Sequence, residues 1–337
     1  MMNSQATDKT HPPVQGSTIL RRVKRFLDDY SIHYASIALI AVLSIASPDF
    51  LSLKNFTNVF RQISMVAILT VGMFFVMVGG GIDISCGATV GLTGVLFAMF
   101  MVNYGMHPAL AFVLTVFIGA TIGTINGTLV TRFGIPAMIA TLGTQSIARG
   151  FTYVITGAYP ISGIPESVSF LGRGYVLGME WLPWPVFIVT ILALVAHFIA
   201  QRTQFGRSVY AVGGNPEAAY LSGIKDKQIQ VVTYIALGIL SAIAGMILTS
   251  RLASGQPNGG LTWEFEAVTA AVIGGVSITG GRGKVFGALL GAILIGLLTN
   301  GMTLIGMESY PQQMVKGMVL VLAIGFDIYS VNKKNKK

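Results

Sequence analysis

Charge is scarce in this chain. Only 10% of its 337 residues are Asp, Glu, Lys or Arg, while 53% are hydrophobic and the mean hydropathy is +0.71. Soluble domains carry about 25% charged residues, so this chain cannot cover a water-facing surface, and the soluble globular class is excluded. Cysteine is nearly absent, and the single Cys86 rules out an intrachain disulfide. Histidines are few, and His33, His107 and His197 show no spacing that suggests a metal site. A nucleotide-binding loop is also missing. Gly283-Lys284 would need glycine at 278, which is Ile278, and serine or threonine at 285, which is Val285. If ATP drives this protein, another chain binds it.

What the chain has in abundance is long apolar runs and 41 glycines, a pairing that suits membrane helices. Runs of about 20 apolar residues span a bilayer. Ten are expected: Ile32–Ser47, Ile63–Gly80, Ile84–Tyr104, Pro108–Thr131, Met138–Gly157, Trp184–Ala200, Ile229–Ser250, Phe265–Gly281, Val285–Ile305 and Gln312–Tyr329. The net charge of +9 suggests nucleic acid until its placement is considered. With ten spans, Lys9, the Arg21–Arg25 cluster, Arg132, Arg202, Arg207, Lys225, Lys227, Arg282, Lys284 and the C-terminal lysines share one side. Only Lys54, Arg61, Arg173 and Arg251 fall on the other, with Arg149 and Lys316 inside spans. The positive-inside rule then puts both termini in the cytoplasm. The first run starts late and lacks a cleavage context at Ser47-Pro48, so it reads as a retained helix rather than a signal peptide.

The fold class expected is an all-α polytopic membrane protein of about ten transmembrane helices, with broken helices and a candidate inverted repeat. Residues 1–30 form a polar cytoplasmic tail, 31–330 the transmembrane domain with a cytoplasmic loop at 201–228, and 331–337 a basic C-terminal tail. Ala158 to Pro183 is an outer loop too small to be a domain, and Asp49, Glu166, Glu180, Glu264 and Glu308 are assigned to the outer side as solvated ends or partner contacts. The repeat rests on Asn126-Gly127 before Pro136 against Asn300-Gly301 before Pro311, with a second echo between Gly80–Ser85 and Gly274–Thr279. Inverted repeats of this kind recur in transporters.

Three features carry chemistry. In the 201–228 loop, Asn215 is a good N-cap, Pro216 fits the first helical position, Glu217 complements the helix dipole, and Gly223 offers a left-handed stop. A short capped helix on a membrane face suits docking into another protein, although an amphipathic connector has similar composition. At Gly79-Gly80-Gly81-Ile82-Asp83-Ile84-Ser85 three glycines break a helix, and Asp83 either caps the next helix or faces a translocation path. Gly274 to Lys284 reads as a second break near the inner face. Small residues at Gly119/Gly123/Gly127 and Gly283/Gly287/Gly291 are ridges for close helix approach. Glu266 and Lys316 are polar groups inside spans and candidates for a buried pair.

With these landmarks, the chain after about Ile37 resembles the permease subunit of ribose-type ABC monosaccharide importers, the branch that includes autoinducer-2 permeases. The matching stretches are Gly80–Ser85, Ile135–Gly143, the string Gly206–Ala219, Gly274–Gly291 and Asn300–Leu304. Cys86, where relatives carry a small aliphatic residue, and Phe74, where threonine is common, depart from the pattern. The resemblance implies an inner-membrane permease that pairs with a second copy, homo- or heterodimeric. It also implies a cytoplasmic ATPase that binds the ATP and an extracytoplasmic sugar-binding protein, with no cofactor of its own and no nucleic acid. It assigns ATPase coupling to Gly206, Arg207, Ala211, Gly213, Asn215, Pro216, Glu217, Ala218, Ala219 and Gly223. The path for a neutral polyol falls to Gly81, Asp83, Ser85, Thr89, Asn126, Thr141, Gly275 and Ser277, with Thr93, Thr144 and Gln145 as further lining groups. The alternative is an ion-coupled secondary carrier with Asp83 or Glu266 as proton site. A membrane enzyme is disfavoured because no nucleophile and base stand at useful spacing.

Overall fold

The computed structural model describes residues 50–335, together with 37, 40, 41 and 43–45. The expected tail at 1–30, most of the expected span Ile32–Ser47 and the last two lysines lie outside the described residues. The described chain is almost entirely helical: α1 Leu53–Val78, α2 Cys86–Val102, α3 Pro108–Thr131, α4 Ala137–Thr156, α5 Phe170–Arg173, α6 Trp184–Arg202, α7 Gln204–Gly214, α8 Pro216–Leu221, α9 Asp226–Leu252, α10 Trp263–Ile273, α11 Val285–Leu304 and α12 Ser309–Asn335. Five of these, α1, α3, α6, α9 and α11, are long and apolar enough to cross a membrane. The last, α12, runs through Asn335, so helix extends into the stretch expected to be a tail.

The centre is built from α1, α2 and α9. Every residue of α1 from Ile63 to Val78 is buried, as an all-round apolar sequence requires. It begins at Leu53 rather than Ile63, because Ser52 caps the backbone N–H of Asn55 at 3.2 Å and the polar first turns continue the helix. Around this core, α3, α4, α6 and α12 present large apolar side chains outward, among them Phe117, Ile147, Val154 and Phe198. The expected ridge of α3 packs on α9: a Cβ on Gly119 would overlap the carbonyl of Gly238, and one on Gly123 the carbonyl of Tyr234. A second ridge, Gly287 and Gly291, packs on α10 at Gly274 and Ala270, while Gly283 lies in the preceding loop. Small residues at such crossings let backbones touch.

Two helices end alike, at the same end of the bundle. In α1 the N–H of Gly81 returns to Val76 O and that of Gly80 to Met77 O, each at 2.9 Å, with Gly80 at φ +85°. In α10 Val276 returns to Ala271 O and Gly275 to Val272 O, also at 2.9 Å, with Gly275 at φ +83°. Both are Schellman closures with glycine in the left-handed position. The second echo seen in the sequence is therefore a repeated cap, one residue out of the register in which the two strings align. The second break also corrects an expectation. The apolar run Phe265–Gly281 is helical only to Ile273, because Gly274 and Gly275 stop it. At 11 residues α10 is about 16 Å long, half the ~30 Å of a hydrocarbon core.

At the opposite end β1 (Ile161–Ser162) pairs antiparallel with β2 (Ser254–Gly255). The segment expected to be a free outer loop is tied down there. Ser250 Oγ donates to Val168 O at 2.6 Å and accepts from Gly172 N at 2.9 Å. Arg173 Nε donates to Arg251 O at 2.9 Å, Arg61 Nη2 donates to Arg173 O at 2.7 Å, and the Arg61 guanidinium lies 4.5 Å from the Tyr175 ring centre. These basic residues, exceptions to the charge bias, form a structural clamp on backbone carbonyls.

Candidate functional site

The break between α1 and α2 gathers buried polar side chains from four helices. Asp83 Oδ1 accepts from Ser85 N at 2.8 Å and Ser85 Oγ at 2.7 Å. Asp83 Oδ2 accepts from Asn126 Nδ2 of α3 at 3.0 Å, and the same amide nitrogen donates to Ser85 Oγ at 2.8 Å. Thr141 of α4 accepts from Ile84 N at 3.1 Å, and Thr89 returns its hydroxyl to Ser85 O. Tyr234 of α9, itself buried, covers Gly81 and reaches Ile82 O at 3.4 Å. Ser85, not Asp83, occupies the N-cap of α2. Asp83 instead closes an Asx turn one step earlier, which corrects the expected helix cap while keeping its chemistry.

The structure thus brings Asp83, Ser85, Asn126 and Thr141 together, with Gly81 and Thr89 adjoining. All are buried, and their hydrogen bonds point at one another. Asn126 Oδ1 alone has no partner among the described residues. In this conformation the group is a lock between helices. Gly275 and Ser277 belong to the other break, where Ser277 N donates to Arg282 O at 3.0 Å and Ser277 Oγ meets Thr279 Oγ1 at 2.9 Å.

A second polar group was not legible in the sequence. Glu264, expected among the outer carboxylates, is 2% exposed in the first turn of α10. Its Oε1 accepts from Gln145 Nε2 at 3.0 Å, and its Oε2 has no partner among the described residues. Beside it the Arg149 guanidinium donates to Pro257 O at 2.9 Å, Gly259 O at 2.8 Å and Gly87 O at 3.3 Å. The stretch 256–262 therefore dips along α2, its carbonyls satisfied by a side chain of α4. Irregular backbone at membrane depth requires such a partner. A span reading that began at Trp263, two residues ahead of the apolar run, would have moved Glu264 inward.

The expected Glu266–Lys316 pair forms, with Nζ 2.7 Å from Oε1. It is partly buried, with side-chain exposures of 21% for Lys316 and 13% for Glu266.

The 201–228 loop folds as two helices. Thr203 ends α6 and caps α7, accepting from Gly206 N at 3.1 Å. Asn215 caps α8 by accepting from Ala218 N at 3.0 Å, Pro216 takes the first helical position, and Gly223 closes it at φ +80°. Arg207, Asn215, Pro216, Glu217, Ala218 and Gly223 are exposed and Ala211 is half-buried. Gly206, Gly213 and Ala219 are buried against their own chain, so they seat the loop and offer nothing to a partner. Gly213 is the sharpest case: a Cβ there would run into Val78 O and lie 2.8 Å from Gly281 N. Tyr210 donates to Gly283 O at 2.9 Å. Burial pushes its phenol above the ordinary range, so the donor proton is retained at neutral pH. Gln230 of α9 donates to Gly79 O at 3.0 Å. The Gly213 and Tyr210 contacts fasten α7 to both breaks at once, and Gln230 ties α9 to the first.

The family described as branched-chain amino acid transport system / permease component matches residues 55–324. A ribose import permease protein of Haemophilus influenzae is 41% identical over 317 residues, which covers 93% of this chain and 97% of that one. A ribose import permease protein of Bacillus subtilis is 42% identical over 291 residues, 86% of this chain and 89% of its own. A D-allose transport system permease protein of Escherichia coli is 35% identical over 305 residues, 90% of this chain and 92% of its own. No solved structure matches.

Proposed function

This chain belongs to the family of transport-system permease components, and on that premise we propose that it is the membrane subunit of an ATP-driven importer for a monosaccharide. The observation that carries the reading is full-length similarity to permeases named for ribose and allose. Supporting it, a neutral polyol needs scattered hydroxyls and amides rather than a charged cage, and the polar side chains inside this bundle are mostly threonine, serine, asparagine and glutamine. The protein sits in the bacterial inner membrane with ten spans and both termini in the cytoplasm, on the strength of the basic-residue bias. A cytoplasmic ATPase docks on α8 and the exposed face of α7, which bear exposed, well-capped side chains. A binding protein delivers sugar at the end that carries β1 and β2, and a second permease copy completes the pair.

Uptake of labelled D-ribose, D-allose, D-xylose and D-galactose by a strain deleted for this gene tests the reading. Loss of uptake for one of these sugars, restored by the wild-type gene, is the expected result. Unchanged uptake of all four would overturn it, as would restored uptake that survives loss of every partner ATPase and collapses with the proton gradient. The relatives' names lend the ion-coupled alternative no support.

A further inference from the structure

Beside the Glu266–Lys316 pair lies a groove of about 280 Å³ between α10, α11 and α12. Thr262, Phe265, Thr269, Ile295, Gln313 and Gly317 help to line it. A smaller cavity of about 90 Å³ on the other side of the pair is lined by Gln62, Trp263 and Thr299 among others. Ile295 is the eleventh residue of the 20-residue α11, so the groove sits near the middle of the membrane, about 15 Å from either end of that helix.

An ion pair at that depth is expensive, and this one is not spent on packing. Among the described residues Lys316 Nζ has one partner, Glu266 Oε1, although an ammonium carries three donors. Glu266 Oε2 has none. An acyl chain filling the groove would leave these donors and acceptors unanswered, at a cost of several kcal/mol in hydrocarbon. A neutral molecule dense in hydroxyls answers them: vicinal hydroxyls donate to the carboxylate and accept from the ammonium, while Gln313 and Thr262 add further partners. Phe265 supplies an apolar face for the ring carbons. The groove is just below the about 300–1,000 Å³ of drug-sized sites, a scale that suits a five- or six-carbon sugar.

We propose that this groove is a transit site for a monosaccharide, with the Glu266–Lys316 pair as its hydroxyl-recognising centre. The proposal rests on the monosaccharide-permease reading above. Cys86 is buried, so a thiol placed in the groove is the one accessible target within this chain for a charged, membrane-impermeant thiol reagent. A side chain at Gly317 meets nothing within 4 Å, which makes Gly317→Cys the variant of choice, with Gln313→Cys one turn away as its replicate. Tyr159→Cys, outside the groove and exposed in the outer loop, is the control. The reagent is applied to spheroplasts carrying the complete importer, with and without each of the four sugars. Modification of the groove cysteines, slowed at least fivefold by the transported sugar and not slowed at Tyr159→Cys, is the expected result. In parallel, the double variant Glu266→Gln with Lys316→Met should raise the half-saturating sugar concentration about tenfold at wild-type membrane abundance. Unreactive groove cysteines, or reactive ones that no sugar protects, would overturn the site while leaving transport by the wild type intact. Absence of any sugar uptake by the wild type would instead overturn both readings.

Discussion

The backbone N–H of Gly281 donates to the carbonyl of Val78 at 2.9 Å, joining the loop after α10 to the last residue of α1. Gly213, the penultimate residue of α7, is wedged between the two. Displacement of α7 by a partner therefore strains both helix breaks together, and from Gly79 the strain is three residues from Ile82 and four from Asp83. The route is short, made of backbone, and stiff.

Gly213→Ala should separate these events. Its methyl cannot fit without moving Val78 or Gly281, and overpacking of this kind costs about 1–3 kcal/mol. Sugar uptake is expected to fall sharply while the permease still reaches the membrane and still co-purifies with its ATPase. Tyr210→Phe is the milder companion. It deletes one hydrogen bond to Gly283 O, worth about 1 kcal/mol, and should lower uptake without changing ATPase recovery. Wild-type uptake in both variants would rule out α7 as the link.

At the α1–α2 break, Asp83→Asn keeps the oxygen that Ser85 uses, and the unpartnered Asn126 Oδ1 can turn to accept from the new amide. Asp83→Leu leaves Ser85 N and the Asn126 amide buried without their acceptor, each at about 1–3 kcal/mol. Thermal unfolding of the detergent-solubilised protein should show a small loss for the first and a large one for the second. Equal loss in both would mean that the charge itself is required.

Two neighbouring alanines on α8 should behave in opposite ways. Ala218 is exposed and Ala219 is 4% exposed. Ala218→Trp is expected to insert normally yet weaken ATPase recovery and uptake together. Ala219→Trp has no room within its own chain and should reduce membrane abundance first. Full ATPase recovery and uptake in Ala218→Trp would remove α8 from the docking surface.

Arg149→Lys is not a mild change here. The guanidinium fork serves three carbonyls on two separate segments, and an ammonium cannot match that geometry. Loss of uptake and greater protease sensitivity around residues 256–262 are expected, to nearly the same degree as in Arg149→Met. Wild-type behaviour in Arg149→Lys would show that charge alone suffices.

The span α3 was legible to the residue. Pro108 at its first position, with His107 capping the N–H of Ala109, and Arg132 after its end mark both boundaries in the string itself. The 201–228 loop was nearly as clear, because Asn215, Pro216 and Gly223 act locally. Specific pairings were not legible where partners are distant, although the resemblance had set Asp83, Asn126 and Thr141 on one path. Nothing near Asp83 announces Asn126 or Thr141, and nothing near Glu264 announces Gln145. Hydropathy failed for a different reason at α10: an apolar run shows that a segment is buried, not that it is helical, so Val276 and Ile278 read as span when they are loop. Gly206 and Gly213 stood out as part of the motif, but a motif does not say which side of a helix faces its own chain.

The shortness of α10 bears on how the protein is made. A segment enters lipid from the insertion machinery on the merit of its own apolar length, and 11 residues preceded by the bare backbone of 256–262 do not have it. The stretch ahead of it is held by Gly87 and Gly91 on α2 and by Arg149 on α4, which leave the ribosome earlier, whereas α10 itself packs through Ala270 and Gly274 on α11, which leaves the ribosome later. α10 is thus held from both directions along the chain rather than inserted alone: α2 and α4 anchor its approach, and α11 closes over it. A ribosome stalled between α10 and α11 would hold a half-length helix whose glycine-ridge partner has not yet been made.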